Sequence, residues 1–256
     1  MYLFIIFSLG FVSGAINTLA SGGTALTLPI LMGLGIPGHM ANASNRIGLL
    51  VSGITRVAVF QRAGKIDWAH TWRLSVPMVL GAFTGALIED QIPESSMRWV
   101  IFAAVLLTLV LVGFGRKRFL EEKQRAHPDL RISKLSVFFL IGIWAGFLAV
   151  DSGGMALWAI VVLVGIETVK ANVLKGVLTL VTSLISVITM GFEHEIDWEL
   201  GITLAGGSMM GSWIAAKFAV TEGARVWIFR LLMIMLAAEV LWILLSLMQQ
   251  TQLLHK

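Results

Sequence analysis

Two Ser-Gly-Gly triplets, Ser21-Gly22-Gly23 and Ser152-Gly153-Gly154, are the residues of this chain best suited to chemistry. Each opens a short apolar stretch that closes on a Gly-Ile pair: "ASGGTALTLPILMGLGIP" from residue 20 and "VDSGGMALWAIVVLVGIE" from residue 150. Glycine reaches backbone angles closed to other residues, and a helix that begins just after such a break offers free N–H groups and the positive end of its dipole. That construction holds an anion. Asn17, Thr18, Ser21 and Thr24 beside the first break and Ser152 beside the second add hydrogen-bond donors, while Gly22, Gly23, Gly153 and Gly154 permit close approach. Capping of the following helix is the alternative use of the same polar groups.

Charge near the breaks extends this chemistry. Asn42, Asn45 and Arg46 open the next helix of the first half, and Asn172 and Lys175 match Asn42 and Asn45 in the second. Cations within apolar helices are usually functional, so Arg46 and Lys175 are candidates to compensate a bound anion, the alternative being side chains that snorkel to the membrane edge. Snorkelling is the expectation for Arg56. Asp151, immediately before the second triplet, has two readings. It is an N-cap for the short helix, or a proton carrier that neutralises when an anion binds. Glu239 in the last helix is either a second carrier or a single carboxylate facing the interior. Trp144 and Trp158, beside the second break, either line a cavity or pack.

The elements that position these residues belong to a membrane protein. Of 256 residues, 57% are hydrophobic and 13% charged, and the mean hydropathy is +0.86, far above that of a soluble domain. Apolar stretches recur from end to end, so the expectation is an all-α, polytopic integral protein whose partner is the lipid bilayer. There is no cysteine, which excludes disulfides and thiolate ligands. A net charge of +4 without a basic stripe argues against nucleic acid. No cofactor or metal is expected, and the sequence sets no oligomeric state.

The halves repeat. Gly10 and Gly14 match Gly142 and Gly146, the triplets match each other, Gly35 matches Gly165, and "IDW" at Ile66–Trp68 recurs at Ile196–Trp198. GxxxG spacing occurs at Gly10/Gly14, Gly81/Gly85, Gly142/Gly146 and Gly207/Gly211, where small residues let helices approach closely. Each half is expected to hold a long apolar segment, the break, a short segment and three longer helices. These are placed at 2–18, 23–35, 42–60, 69–88 and 97–114, then at 135–150, 154–165, 171–190, 199–218 and 225–248. The short segments are too short to span, and are expected to dip in and turn back. The resulting division is a first membrane repeat at 1–115, a basic linker at 116–134, and a second repeat at 135–256.

Charge separates the possible topologies. With a re-entrant hairpin plus three spans, or with five true spans, each half has odd parity and the halves are inverted. Fifteen of the nineteen Lys and Arg residues then fall on the cytoplasmic edge against three outside, whereas parallel halves give eleven against seven. The positive-inside bias favours inversion and a cytoplasmic linker. The acidic loops at 89–94 and 193–199 fall outside, and Trp68, Trp99, Trp198 and Trp227 sit near span ends, where indoles suit the headgroup boundary. Inverted halves bring both breaks together near the midplane, where secondary transporters place their substrate.

The pattern resembles the sulfite exporter TauE/SafE family of bacterial membrane proteins. The resemblance is carried by "SGAINTLASGGTALTLPILMGLGIP" (13–37), "HMANASNRIGLLVSG" (39–53), "GKIDW" (64–68), "GAFTGA" (81–86) and the echo from Gly146 to Asn172. It implies a non-enzymatic secondary transporter of the bacterial inner membrane that exports a small anionic substrate, sulfite, a sulfonate or a related organic anion. The second half departs from the first in having Ile160 and Glu167 where the first has Pro29 and Pro37, and Asp151 where the first has Ala20. Two other classes compete. An intramembrane hydrolase needs a base beside Ser21 or Ser152, but all five histidines fall at edges, loops or the C-terminus. A membrane assembly protein would need no substrate site and would leave the paired breaks unexplained.

Overall fold

In the computed structural model of the chain, the residues described are 2–88, 106–120, 130–148, 150–192, 196–221 and 223–254. The acidic loop at 89–94, Glu193 to Glu195, Trp99 and the centre of the basic linker lie outside them. Every regular element described is helical. In chain order these are α1 (Tyr2–Leu19), α2 (Gly23–Gly33), α3 (Gly38–Arg62), α4 (Trp68–Ile88), α5 (106–114), α6 (Arg116–Leu120), α7 (Ile132–Phe147), α8 (Ser152–Trp158, continued by π-helical Ala159–Val164), α9 (Thr168–Phe192), α10 (Trp198–Ala219) and α11 (Ala224–Leu254).

Length and composition sort the helices. Tyr2–Leu19, Trp68–Ile88 and Thr168–Thr189 are long and apolar enough to cross a membrane. The 25 residues of α3, 22 of α10 and 31 of α11 also have the reach, about 33 Å or more at 1.5 Å per residue. By contrast, the 11 residues of α2 cover only about 16 Å, about half a hydrocarbon core. The repeated Gly-Ile phrase is what stops the short segments. Gly35 (φ 88°) and Gly165 (φ 86°) are left-handed, and the N–H groups of Ile36 and Ile166 fold back onto the carbonyls of Leu31 and Ile160 at 3.2 and 3.1 Å. The repeated "IDW" is a helix start. Asp67 Oδ1 accepts from the His70 N–H at 3.2 Å, and Asp197 Oδ1 from the Leu200 N–H at 3.1 Å.

The two halves interlock. The most extensive helix contacts pair α1 with α10 and α4 with α7, so the first helix of each half packs on the fourth helix of the other. All four GxxxG pairs lie in these crossings. Gly10 and Gly14 abut the backbone of Leu204 and Ser208, and Gly207 and Gly211 abut that of Phe7 and Phe11. Gly81 and Gly85 meet Phe139 and Ile143, and Gly142 and Gly146 meet Met78 and Ala82. A Cβ on any of these eight would overlap neighbouring backbone. Ser208 and Ser212 also donate across the first crossing to the carbonyls of Gly10 and Gly14, at 3.1 Å each. Helices in lipid gain little from hydrophobic burial against each other, so this backbone contact is what specifies the pairing.

One apolar cluster, including Ile6, Leu31, Phe138, Leu157, Ile160, Leu174 and Leu232, joins both halves around the breaks. The start of the basic linker is docked on it: Phe119 of α6 is buried, its ring centroid 5.5 Å from that of Phe229, and its carbonyl accepts from Thr168 Oγ1 at 2.6 Å. Trp68, Trp198 and Trp227 are exposed near helix starts. Because the crossings leave no room for side chains, Gly146→Leu is expected to lower stability by at least about 2 kcal/mol. Gly33→Ala, where nothing lies within 4 Å, is expected to be neutral; thermal melting of both variants in detergent checks the contrast.

Candidate functional site

The first break lies between α1 and α2. Gly22 takes a left-handed conformation (φ 94°), and the N–H of Gly23, the first residue of α2, donates to Asn17 Oδ1 at 2.9 Å. Asn17 therefore pairs the first N–H of α2. The carbonyls at the end of α1 are taken by the other half. Lys175 Nζ of α9 donates to Asn17 O at 3.0 Å and to Ala20 O, and Asn172 Nδ2 donates to Thr18 O at 3.0 Å. Thr18 Oγ1 bonds Gly14 O and Ser212 Oγ, each at 2.8 Å, and so ties α1 to α10.

The second break repeats the arrangement with the halves exchanged. Arg46 of α3 donates from Nη1 to Ala145 O at 2.5 Å and from Nη2 to Gly146 O at 3.0 Å, at the end of α7. Trp144 Nε1 donates to Val150 O at 2.7 Å, so this indole satisfies backbone at the break. Trp158 is half-buried and packs against the core. Asn45 Nδ2 reaches Thr24 Oγ1 at 3.4 Å, and Asn42 is buried one turn earlier. Arg46 and Lys175 are 2% and 1% exposed, so neither snorkels. Each is held by the carbonyl end, and hence the negative dipole end, of the other half's first helix.

The second break is shifted relative to its triplet. Asp151, not a glycine, is its left-handed residue (φ 56°), a conformation that Asp and Asn tolerate better than other side chains. Ser152, Gly153 and Gly154 form the first turn of α8. Asp151 occupies the N-cap position, but its side chain makes no capping bond. Ser21, Thr108 and Lys175 are its polar neighbours.

The two breaks touch. A Cβ on Gly153 would lie 3.1 Å from Ser21 Oγ and 3.6 Å from Lys175 Cδ. Glu239 of α11 closes the other side of the first break, its Oε1 2.6 Å from where a Cβ on Gly22 would be. It is 6% exposed, and both its oxygens are buried without a hydrogen-bond partner among the described residues. Of the residues singled out in the sequence, Ser21, Gly22, Gly153, Lys175 and Glu239 meet here, Asn17, Thr18 and Asn172 bond around the first break, and Arg46 bonds at the second. Thr108, beside Asp151, joins them. Glu239 carried a signal, a lone carboxylate in an apolar helix; Thr108 carried none. Arg56 departs from expectation. It is 1% exposed, with Nε 3.4 Å from Gly176 O, and does not reach an aqueous edge. Its position near the cytoplasmic end of the expected 42–60 helix suggested snorkelling, but α3 runs on to Arg62 and α9 packs against it.

A family model described as "Sulfite exporter TauE/SafE" matches residues 6–241. A "Probable membrane transporter protein" of Haemophilus influenzae is 24% identical over 221 residues, 86% of each chain. The "Probable membrane transporter protein ORF9" of Sinorhizobium sp is 24% identical over 226 residues, 88% of this chain and 85% of the relative. The "Probable membrane transporter protein YfcA" of Escherichia coli K12 is 22% identical over 227 residues, 88% and 84% of the two chains.

Removing a cross-half cap leaves buried carbonyls unpaired, at about 1–3 kcal/mol each. Lys175→Met is therefore expected to lower the melting temperature of the purified protein clearly, and Lys117→Met, at an exposed position of α6, to leave it unchanged.

Proposed function

The chain belongs to the sulfite exporter TauE/SafE family of membrane transporters, and from that premise we propose that it is a secondary transporter moving a small sulfur-containing or organic anion across the bacterial cytoplasmic membrane. The two halves are read as inverted repeats, with the linker at 116–134 on the cytoplasmic side. The observation that carries the proposal is the meeting of the two breaks, Gly153 against Ser21 and Lys175, with Glu239 against Gly22. Broken helices at membrane depth are tolerated where they line protein or a substrate cavity, and paired breaks from two repeats are a recurrent substrate position in secondary transporters.

The charges suggest how the cycle runs. With Asp151 and Glu239 ionised, Arg46, Arg56 and Lys175 leave a small positive excess, and protonation of either carboxylate increases the centre's attraction for an anion. Asp151 is the proposed coupling residue because it forms the second break itself. An anion moving alone is driven outward by an inside-negative potential, by about 2.3 kcal/mol per charge per 100 mV, which fits export. Moving with a proton, it responds to the pH gradient instead.

The test is flux in proteoliposomes with sulfite, methanesulfonate and acetate, with and without a proton gradient. Wild type is expected to move at least one of them. Gly22→Leu is expected to abolish that movement, since a side chain there needs a left-handed backbone and runs into Glu239 and Met235. Asp151→Asn is expected to keep the anion flux and lose its dependence on the gradient. Folded wild-type protein that moves none of the three contradicts the proposal for this class of anion.

A further inference from the structure

Arg56 is the cation that the arrangement of caps does not account for. Arg46 donates from both terminal nitrogens, to the carbonyls of Ala145 and Gly146. Lys175 spends two of its three N–H groups on Asn17 O and Ala20 O. The guanidinium of Arg56 is equally buried, yet only Nε has an acceptor, Gly176 O at 3.4 Å, and Nη1 and Nη2 are buried without a partner among the described residues. An unpaired buried guanidinium costs several kcal/mol, and intramembrane cations are retained for function.

The surroundings are shaped to keep the guanidinium where it is. Gly176 makes room for it: a Cβ there would lie 3.0 Å from Phe60 Cε2 and 3.4 Å from Arg56 Cδ. The second cation is Lys175, the residue just before Gly176, whose Nζ is buried on the carbonyls of Asn17 and Ala20. Two buried cations side by side, one with both terminal nitrogens open, form a receptor for a group carrying two or more oxygens. The planar fork matches two oxygens of a sulfonate, sulfite or carboxylate. A cavity of about 170 Å3 lies farther along the same two helices, at the α3–α4 turn. It is lined by two lysines, Lys65 and Lys170, one carboxylate, Asp67, and Gly64, Ile66, Ile166 and Leu174. Gly64 is two turns beyond Arg56, Leu174 directly precedes Lys175, and Phe60 lies between the cavity and the guanidinium along α3.

We propose that Arg56, together with Lys175, is the oxyanion-recognition pair of this transporter, reached from the cavity between Lys65 and Lys170. The proposal rests on the anion-transport reading above and assigns its recognition step to a buried guanidinium in addition to the helix starts.

The experiment compares full-length wild type, Arg56→Lys and Arg56→Gln, reconstituted in nanodiscs, by calorimetric binding of sulfite, methanesulfonate and acetate, by flux of the same anions, and by thermal melting without anion. For the anion that wild type moves, Arg56→Lys is expected to weaken binding about tenfold and Arg56→Gln about a hundredfold, the loss of one and of two charge-assisted hydrogen bonds. The anion-free melting temperature is expected to hold or rise, because the substitutions relieve an unpaired charge. A guanidinium that only braces α9 predicts the reverse: lower melting temperatures with affinity intact. Should Arg56→Gln not fold, the brace reading gains and Arg56→Lys decides through its affinity. Wild-type flux with affinities in the variants within about twofold of wild type overturns the assignment of Arg56 and leaves anion transport standing. Wild-type protein that neither binds nor moves any of the three anions overturns both.

Discussion

The structure depends on how the carbonyls at two interrupted helix ends are satisfied. Where α1 and α7 stop inside an apolar bundle, their last C=O groups have no continuing turn to bond, and no water is available at membrane depth. Lys175 takes two of these groups on α1, and Arg46 takes two on α7. A cation suits this place because it supplies several donors to groups that also carry the negative end of a helix dipole. Each cation comes from the opposite half, so neither half can complete its own break.

That dependence explains the interlocked packing. For α9 to reach α1, and α3 to reach α7, the first helix of each half must leave its own bundle and lie against the fourth helix of the other. The GxxxG faces make this possible by letting α1 and α10, and α4 and α7, approach backbone to backbone. The breaks are then held together from both sides, with Ser21 against Gly153, and Glu239 and Asp151 enclosed beside them. Polar groups crowded into such a space restrict it to a few arrangements, because each unpaired donor or acceptor is costly there. This is the property a transport site needs, since binding or losing one ion then shifts the balance between arrangements.

Much of this was legible in the sequence because it depends on local chemistry and repetition. The short segments ended at Gly-Ile in both halves, since a left-handed residue is needed there, and the expected helices fall within a few residues of those observed, apart from the part of the 97–114 segment outside the described residues. Arg46 and Lys175 stood out because a charge in an apolar helix must have a purpose. What could not be read was the partner of each charge. The carbonyls bound by Arg46 lie about a hundred residues away, and no backbone oxygen leaves a mark in the amino-acid code. The same limit hid the fate of Arg56, which looks like a snorkelling end residue until α9 is seen to cover it. The shifted second break was hidden for another reason. The matching triplets invite alignment glycine on glycine, whereas Asp151 takes the left-handed position itself and leaves both glycines in the helix.

The central claim is that the two breaks face each other across one site, and a cross-link tests it most directly. The chain has no cysteine, and a Cβ on Gly153 would lie 3.7 Å from Ser21 Cβ, within the range of a disulfide. The measurement is oxidation of the Ser21→Cys, Gly153→Cys double variant in proteoliposomes, followed by anion flux before and after reduction. The account predicts a rapid intramolecular disulfide that stops flux and a return of flux on reduction. A folded, transporting double variant that forms no disulfide, or one whose flux is unchanged when the disulfide has formed, would contradict it.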